Sequence, residues 1–146
     1  MPDPDPSMTA PRIALTIAWM YPDSLSTYGD RGNVLALTQR ARWRGYHVDV
    51  APVSARDPLP KGTDIVVVGG GQDNAQSAAG KSLRDVHGQA ILDALDDGAA
   101  LLAVCAGLQL LGKEYRTASG ERIDGIGLFD LETVGSGERL VGDVRL

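Results

Sequence analysis

The chain has 146 residues, of which 43% are hydrophobic and 23% charged, and its formal net charge is −5. This size and balance fit one globular domain with its own core, and the acidic charge argues against a nucleic-acid-binding surface. The single cysteine excludes an internal disulfide, no apolar run is long enough to cross a membrane, and residues 1–11 lack the pattern of a signal peptide. We therefore expect a cytoplasmic domain over residues 12–146, preceded by a disordered Pro/Asp-rich tail at 1–11.

Residues 12–112 show strand and helix patterns in alternation. In chain order the pattern predicts a strand at 12–19, a loop at 22–32, a helix from Val34 that ends at Gly45, a strand at 46–53, a turn at 57–62, a strand at 65–68, a helix marked by Leu83 to Leu95 that ends at Gly98, a strand at 99–104 and a helix at 106–112. Such alternation predicts an α/β fold with a parallel sheet and helices on both faces.

Beyond Gly112 the pattern changes to short β-like runs at 115–117, 123–134 and 139–146. Glycine and serine separate these runs, which predicts an antiparallel hairpin annexe to the main sheet. The last run stops within a strand-like pattern, so we expect the chain to be truncated.

Cys105 lies between the apolar run 99–104 and the helix pattern at 106–112. This is the layout of a nucleophile elbow, in which a strand turns sharply into a helix and small residues, here Ala103 and Gly107, stand two positions on either side. The helix start favours the reactive thiolate, and the Ala106 N–H is placed to donate to an oxyanion. The alternative is a small, buried, inert cysteine.

Gly69, Gly70 and Gly71 directly follow the strand at 65–68. An N–H from Gly70 or Gly71 is a candidate second oxyanion donor, because ligands of parallel sheets gather at the carboxyl ends of the strands. The alternative is a tight turn that needs glycine at positive φ.

Residues 75–82 fit a permissive phosphate-loop pattern that ends in Gly80-Lys81-Ser82. A nucleotide-binding protein using Lys81 and Ser82 is therefore an alternative function, although a phosphate loop starts directly at the end of its strand and five residues intervene here. The simpler interpretation is a loop in which Ser82 caps the next helix. No metal site is predicted.

Four segments together carry a family resemblance: Tyr28-Gly29-Asp30-Arg31-Gly32-Asn33, Gly69-Gly70-Gly71-Gln72-Asp73, residues 104–112 around Cys105, and Arg139-Leu140-Val141-Gly142-Asp143. In this order they resemble the cobyric-acid-synthase-like class I glutamine amidotransferases, and among these the glutamine-hydrolysing subunits of lipid II isoglutaminyl synthase. The resemblance implies a flavodoxin-like sheet of the class I amidotransferase type.

By that resemblance Cys105 attacks the side-chain amide of L-glutamine, forms a thioester and releases ammonia, and Arg139 holds the substrate. The ammonia would pass to a Mur-ligase-like partner subunit that uses ATP and Mg²⁺ to amidate D-glutamate of lipid II in peptidoglycan synthesis. The resemblance implies no cofactor in this chain.

A class I glutaminase also needs a histidine downstream of the cysteine as general base. No histidine follows Cys105, and His47 and His87 are expected to be structural because each lies on an amphipathic element before the elbow. We therefore expect the amino-terminal portion of an amidotransferase domain that lacks its general base. A non-catalytic docking module for the partner subunit is the alternative.

Overall fold

The computed structural model describes residues 13–26 and 30–137, apart from the side chains of residues 73 and 74. Four parallel strands form the main sheet: β1 (Ala14–Met20), β2 (His47–Val53), β3 (Ile65–Val68) and β4 (Ala100–Ala103). Their order across the sheet is β2-β1-β3-β4, so the first strand lies in the interior. The predicted parallel sheet is confirmed, and each strand lies within two residues of the predicted bounds.

Helices cover both faces of this sheet. They are α1 (Asp30–Arg42), α2 (Asp73–Ser82), α3 (Gly88–Asp96) and α4 (Ala106–Leu111), with a π-helical turn at Leu83–His87 between α2 and α3. Alternate residues of a strand point to opposite faces, so Val67 packs with Val34 of α1, whereas Val66 and Val68 belong to the larger core that includes residues of α2, α3 and α4. This is why β3 is apolar throughout.

Two predicted loops are helical instead. Helix α1 begins at Asp30 rather than after Gly32, and α2 begins at Asp73, so residues 75–82 form a helix and not a phosphate-binding loop. Ser82 does not cap a helix, as its hydroxyl donates to the Ala55 carbonyl oxygen at 2.6 Å. Alanine-rich sequence and burial of Ala79 stabilise this helix. The nucleotide-binding alternative thereby loses the loop on which it depended.

A second, three-stranded sheet follows α4: β5 (Glu114–Arg116), β6 (Arg122–Asp124) and β7 (Glu132–Val134), in the order β6-β5-β7. Strands β5 and β6 are antiparallel, as predicted, but β5 and β7 are parallel. The run 123–134 is two strands and not one, because Gly125 packs directly against the Gly112 carbonyl and the chain must turn there. The predicted strand at 139–146 lies outside the described residues.

Over residues 13–26 and 30–137, no helix combines the length and apolar character needed to cross a lipid bilayer.

A buried hydrogen-bond network joins Tyr21, the residue after β1, to the π-helical turn. The Tyr21 hydroxyl lies 2.7 Å from His87 Nδ1, and His87 Nε2 lies 2.6 Å from the Asp57 carbonyl oxygen. A carbonyl can only accept, so Nε2 carries the hydrogen and Nδ1 accepts from Tyr21. Both ring nitrogens of the fully buried His87 are thus used within the fold, which is the arrangement of a structural histidine.

Burial raises the pKa of Tyr21 from 10.0 to about 12. The phenol therefore stabilises the folded chain at every pH below about 10, and this contribution is lost as the pH rises through 12. We expect the difference in unfolding free energy between the wild type and Tyr21→Phe to fall by about 2 kcal/mol between pH 9 and pH 12, measured by urea unfolding. Tyr46→Phe, which removes a half-buried phenol outside this network, is the matched control, and its difference from the wild type is the baseline for the comparison. A difference that stays constant with pH would contradict the assignment.

Candidate active site

Cys105 connects β4 to α4 in a strained conformation. Its φ is 50° and its ψ is −112°, and helix α4 begins at the next residue, Ala106. A non-glycine residue at positive φ costs about 1–3 kcal/mol and persists only where the surrounding fold imposes it. The thiol is exposed. The predicted nucleophile elbow is confirmed as a backbone geometry, and the alternative's expectation that Cys105 is buried is wrong.

The elbow rests on the end of β3. The Val68 carbonyl accepts the Val104 N–H at 2.9 Å and touches Gly107, where an added Cβ would also come within 2.9 Å of the Val68 carbonyl carbon. Gly107 is therefore small because the helix start packs directly on the neighbouring strand. Ala106 is the first residue of α4, so its N–H has no acceptor within the helix and is a candidate donor at the elbow.

Residues 69–71, which we call the glycine loop, continue from β3 beside the elbow. None of the three glycines has a positive φ, so the tight-turn interpretation is wrong. Gly69 and Gly71 instead make room for residues 24, 25 and 30: a Cβ on Gly69 would lie 2.6 Å from Asp30 Cγ, and one on Gly71 would lie 2.7 Å from Leu25 Cδ2. Close approach is the reason for glycine here, and the group that approaches is the segment after β1.

Two side chains bind the glycine loop. The Gly70 N–H donates to Asp30 Oδ2 at 2.9 Å, and Gln76 Nε2 donates to the Gly71 carbonyl oxygen at 3.1 Å. Asp30 is fully buried, and its other carboxylate oxygen has no hydrogen-bond partner among the residues described. In this structure the Gly70 N–H is committed to Asp30, contrary to the expectation that it is free for an oxyanion, and Gly71 and Ala106 remain as candidate donors.

Comparison with known proteins adds to this geometry. Residues 16–146 match the CobB/CobQ-like glutamine amidotransferase domain. The chain belongs to this family. The resemblance stated from the sequence is thereby confirmed for the region that includes the elbow, the glycine loop and Asp30.

Among the curated relatives of this CobB/CobQ-like chain, two are named lipid II isoglutaminyl synthase (glutamine-hydrolyzing) subunit GatD. The one from Staphylococcus aureus (strain N315) is 37% identical over 131 residues, which are 89% of this chain and 54% of the relative. The one from Streptococcus pneumoniae (strain ATCC BAA-255 / R6) is 38% identical over 134 residues, 90% of this chain and 51% of the relative. A probable cobyric acid synthase of Methanopyrus kandleri is 33% identical over 60% of this chain and 19% of its own length. The chain spans about half the length of the GatD relatives.

The fold is shared with a solved structure, a peptidase E protein from Listeria monocytogenes EGD-e. Its TM-score is 0.50 at 14% identity, over 80% of this chain and 63% of that chain. The similarity supports the flavodoxin-like amidotransferase fold that the resemblance implied.

The CobB/CobQ-like domain does not bring its two histidines to Cys105. His47 begins β2 and is exposed at the amino-terminal edge of the sheet, whereas Cys105 follows the carboxyl end of β4. His87 is buried in the network with Tyr21. Arg139, predicted to hold the substrate, lies outside the described residues. Within the described part of the chain, no group of three or more His, Cys, Asp or Glu side chains is arranged to hold a metal ion.

Sequence reasoning missed Asp30 and Gln76 as residues of this site. In the sequence Asp30 belongs to a segment of the family resemblance and Gln76 to the phosphate-loop pattern, and neither pattern indicates a contact with the glycine loop. A usable signal existed for Asp30, because an acidic residue in the first turn of a helix at the carboxyl edge of a parallel sheet faces the region where ligands bind.

Proposed function

We propose that this chain is the cysteine-bearing part of a glutamine-hydrolysing subunit that supplies ammonia for the amidation of lipid II. The observation that carries the proposal is the exposed Cys105 at a strained elbow, with the Ala106 N–H directly after it and the glycine loop beside it. Family membership and the names of the GatD relatives support the choice of glutamine and of lipid II.

The chemistry follows from this placement. The Cys105 sulfur bonds to the side-chain amide carbon of glutamine, and the carbonyl oxygen becomes an oxyanion that accepts from the Ala106 and Gly71 N–H groups. The C–N bond then breaks, the nitrogen takes a proton and leaves as ammonia, and water hydrolyses the thioester to glutamate. We propose that Arg139 pairs with the glutamine α-carboxylate, a pairing that a guanidinium makes with two parallel hydrogen bonds.

The proposed reaction also needs a general base that takes the proton of the Cys105 thiol. Neither His47 nor His87 is placed to take the thiol proton, and losing a general base removes a factor of about 10² to 10⁴ in rate. We propose that the base belongs to the full-length protein, since the chain spans about half the length of its GatD relatives.

The printed names of these relatives describe a subunit, which supports a partner. We propose a Mur-ligase-like partner that binds ATP and Mg²⁺ and acts on the D-glutamate of lipid II in the cytoplasm. This chain would need no cofactor of its own.

The test is the release of glutamate from L-glutamine by the 146-residue chain and by the natural full-length protein, each with and without the partner subunit. We expect the full-length protein to release glutamate and the short chain to be at least about 100-fold slower. Activity of the short chain at the full-length rate would instead assign the base to residues 1–146. Absence of release from every form, with partner binding intact, would contradict an enzyme and leave the docking module.

A further inference from the structure

Two buried side chains bind neighbouring peptide groups of the glycine loop from opposite sides of the sheet. Asp30 is the first residue of α1, on the face that holds Val34, and Gln76 belongs to α2, on the face that holds Ala79. Asp30 accepts the N–H of Gly70, and Gln76 donates to the C=O of Gly71.

Between these two fixed points lies a single peptide unit, the Gly70 C=O with the Gly71 N–H. The plane of a peptide between two glycines rotates more easily than that of other peptides, because neither glycine has a Cβ to restrict φ and ψ. Hydrogen bonds on the preceding N–H and on the following C=O oppose that rotation. The direction of the Gly71 N–H is therefore set by Asp30 and Gln76.

Packing around the glycine loop also opposes rotation of the Gly70–Gly71 peptide. Leu25, which is fully buried, lies against Gly71, and Asp30 itself lies against Gly69. Leu25 is held in turn by its N–H, which donates to the Tyr21 carbonyl at 2.7 Å. These contacts keep the loop against residues 25 and 30.

We propose that Asp30 and Gln76 are positioning residues that fix the Gly70–Gly71 peptide, so that the Gly71 N–H, and not the Gly70 N–H, is the second oxyanion donor beside Ala106. Asp30 is 0% and Gln76 3% exposed, so both act through the loop and not on the substrate. This inference rests on the proposed glutaminase function.

The test compares two reagents that alkylate Cys105. A chloroketone analogue of glutamine has a carbonyl that the sulfur attacks before it displaces chloride, so its reaction passes through an oxyanion. Iodoacetamide loses iodide in a direct displacement and forms none. The ratio of the two rates therefore reports the oxyanion donors separately from the thiol.

For Asp30→Ala and Gln76→Met we expect alkylation by the chloroketone to slow by about 10-fold or more, because one donor loses its direction, while the iodoacetamide rate stays at the wild-type value. Asp30→Asn keeps an acceptor for the Gly70 N–H and should restore the chloroketone rate to within about threefold of the wild type. In the full-length protein Asp30→Ala and Gln76→Met should lower kcat and leave KM nearly unchanged.

The matched control is Asp64→Ala. It removes a carboxylate that accepts a backbone N–H, that of Thr16 at 2.7 Å, at the opposite edge of the sheet. This variant should keep the wild-type ratio.

Several results would overturn the inference. They are an unchanged ratio in Gln76→Met and Asp30→Ala, equal slowing of both reagents in folded protein, and failure of Asp30→Asn to restore the rate. Failure of the proposed function has a different signature, since the wild type itself would then react with the chloroketone no faster than a simple thiol does.

Discussion

Replacing Cys105 with glycine should abolish the proposed glutamine hydrolysis and at the same time stabilise the fold. In the full-length protein, loss of the nucleophile should lower glutamate release by about 10⁴-fold or more, and alkylation by the chloroketone should disappear. Glycine relieves a strain of about 1–3 kcal/mol at a φ of 50° but costs about 0.5–1 kcal/mol in chain entropy, which leaves a net gain of about 1 kcal/mol. Urea unfolding of the 146-residue chain measures this gain.

Cys105→Ala is the matched variant, because it removes the same sulfur and keeps a Cβ at the strained position. It should be equally inactive but less stable than the glycine variant by about 1 kcal/mol. Equal stability of the two variants would show that the elbow stores no strain, and retained activity in either would remove Cys105 from the mechanism.

Gly107→Ala should destabilise the chain strongly through a single added methyl group. Its Cβ would meet the Val68 carbonyl and come within 3.1 Å of Val68 Cβ, and backbone in the middle of a sheet cannot move aside as a flexible side chain does. We expect a loss of about 3 kcal/mol in the free energy of unfolding, together with slower alkylation by both reagents because α4 is pushed away from the thiol.

Gly32→Ala is the matched control. Gly32 lies in α1, is exposed, and has nothing within 4 Å of an added Cβ, so alanine there should stabilise the chain by about 0.5–1 kcal/mol. A Gly107→Ala variant as stable as the wild type would contradict the close packing of the elbow on β3.

The sequence predicts most of the main sheet because each strand is specified locally. The four residues of β3 are apolar, and three of them are buried on the two faces of the sheet. The abrupt change from Val104 to Cys105 marks the end of the strand pattern of β4. The elbow is predictable for the same reason, since strand, cysteine and small residues are adjacent in the sequence.

What the sequence does not predict depends on contacts between distant residues. Asp30 and Gly70 are 40 positions apart, so no local pattern shows that one binds the other or that the Gly70 N–H is taken. The start of α2 was misplaced because Gly80-Lys81-Ser82 has the composition of a loop, whereas burial of Gly80 against Leu110 and Ile123 stabilises it as helix. The parallel pairing of β7 with β5 likewise depends on the chain path and not on either strand.

The parallel order of the main sheet also governs how the chain folds. No two of its strands are joined by a hairpin: Ala14 pairs with His47, Ile17 with Ile65, and Ile65 with Ala100. Such non-local pairing slows folding into the range of milliseconds to seconds. The elbow at Cys105 and the donors proposed beside it come together only after β3 and β4 have paired, so an unfolded or nascent chain lacks the arrangement that we propose to speed the chloroketone reaction. The increase in the chloroketone rate during refolding should therefore report completion of the sheet.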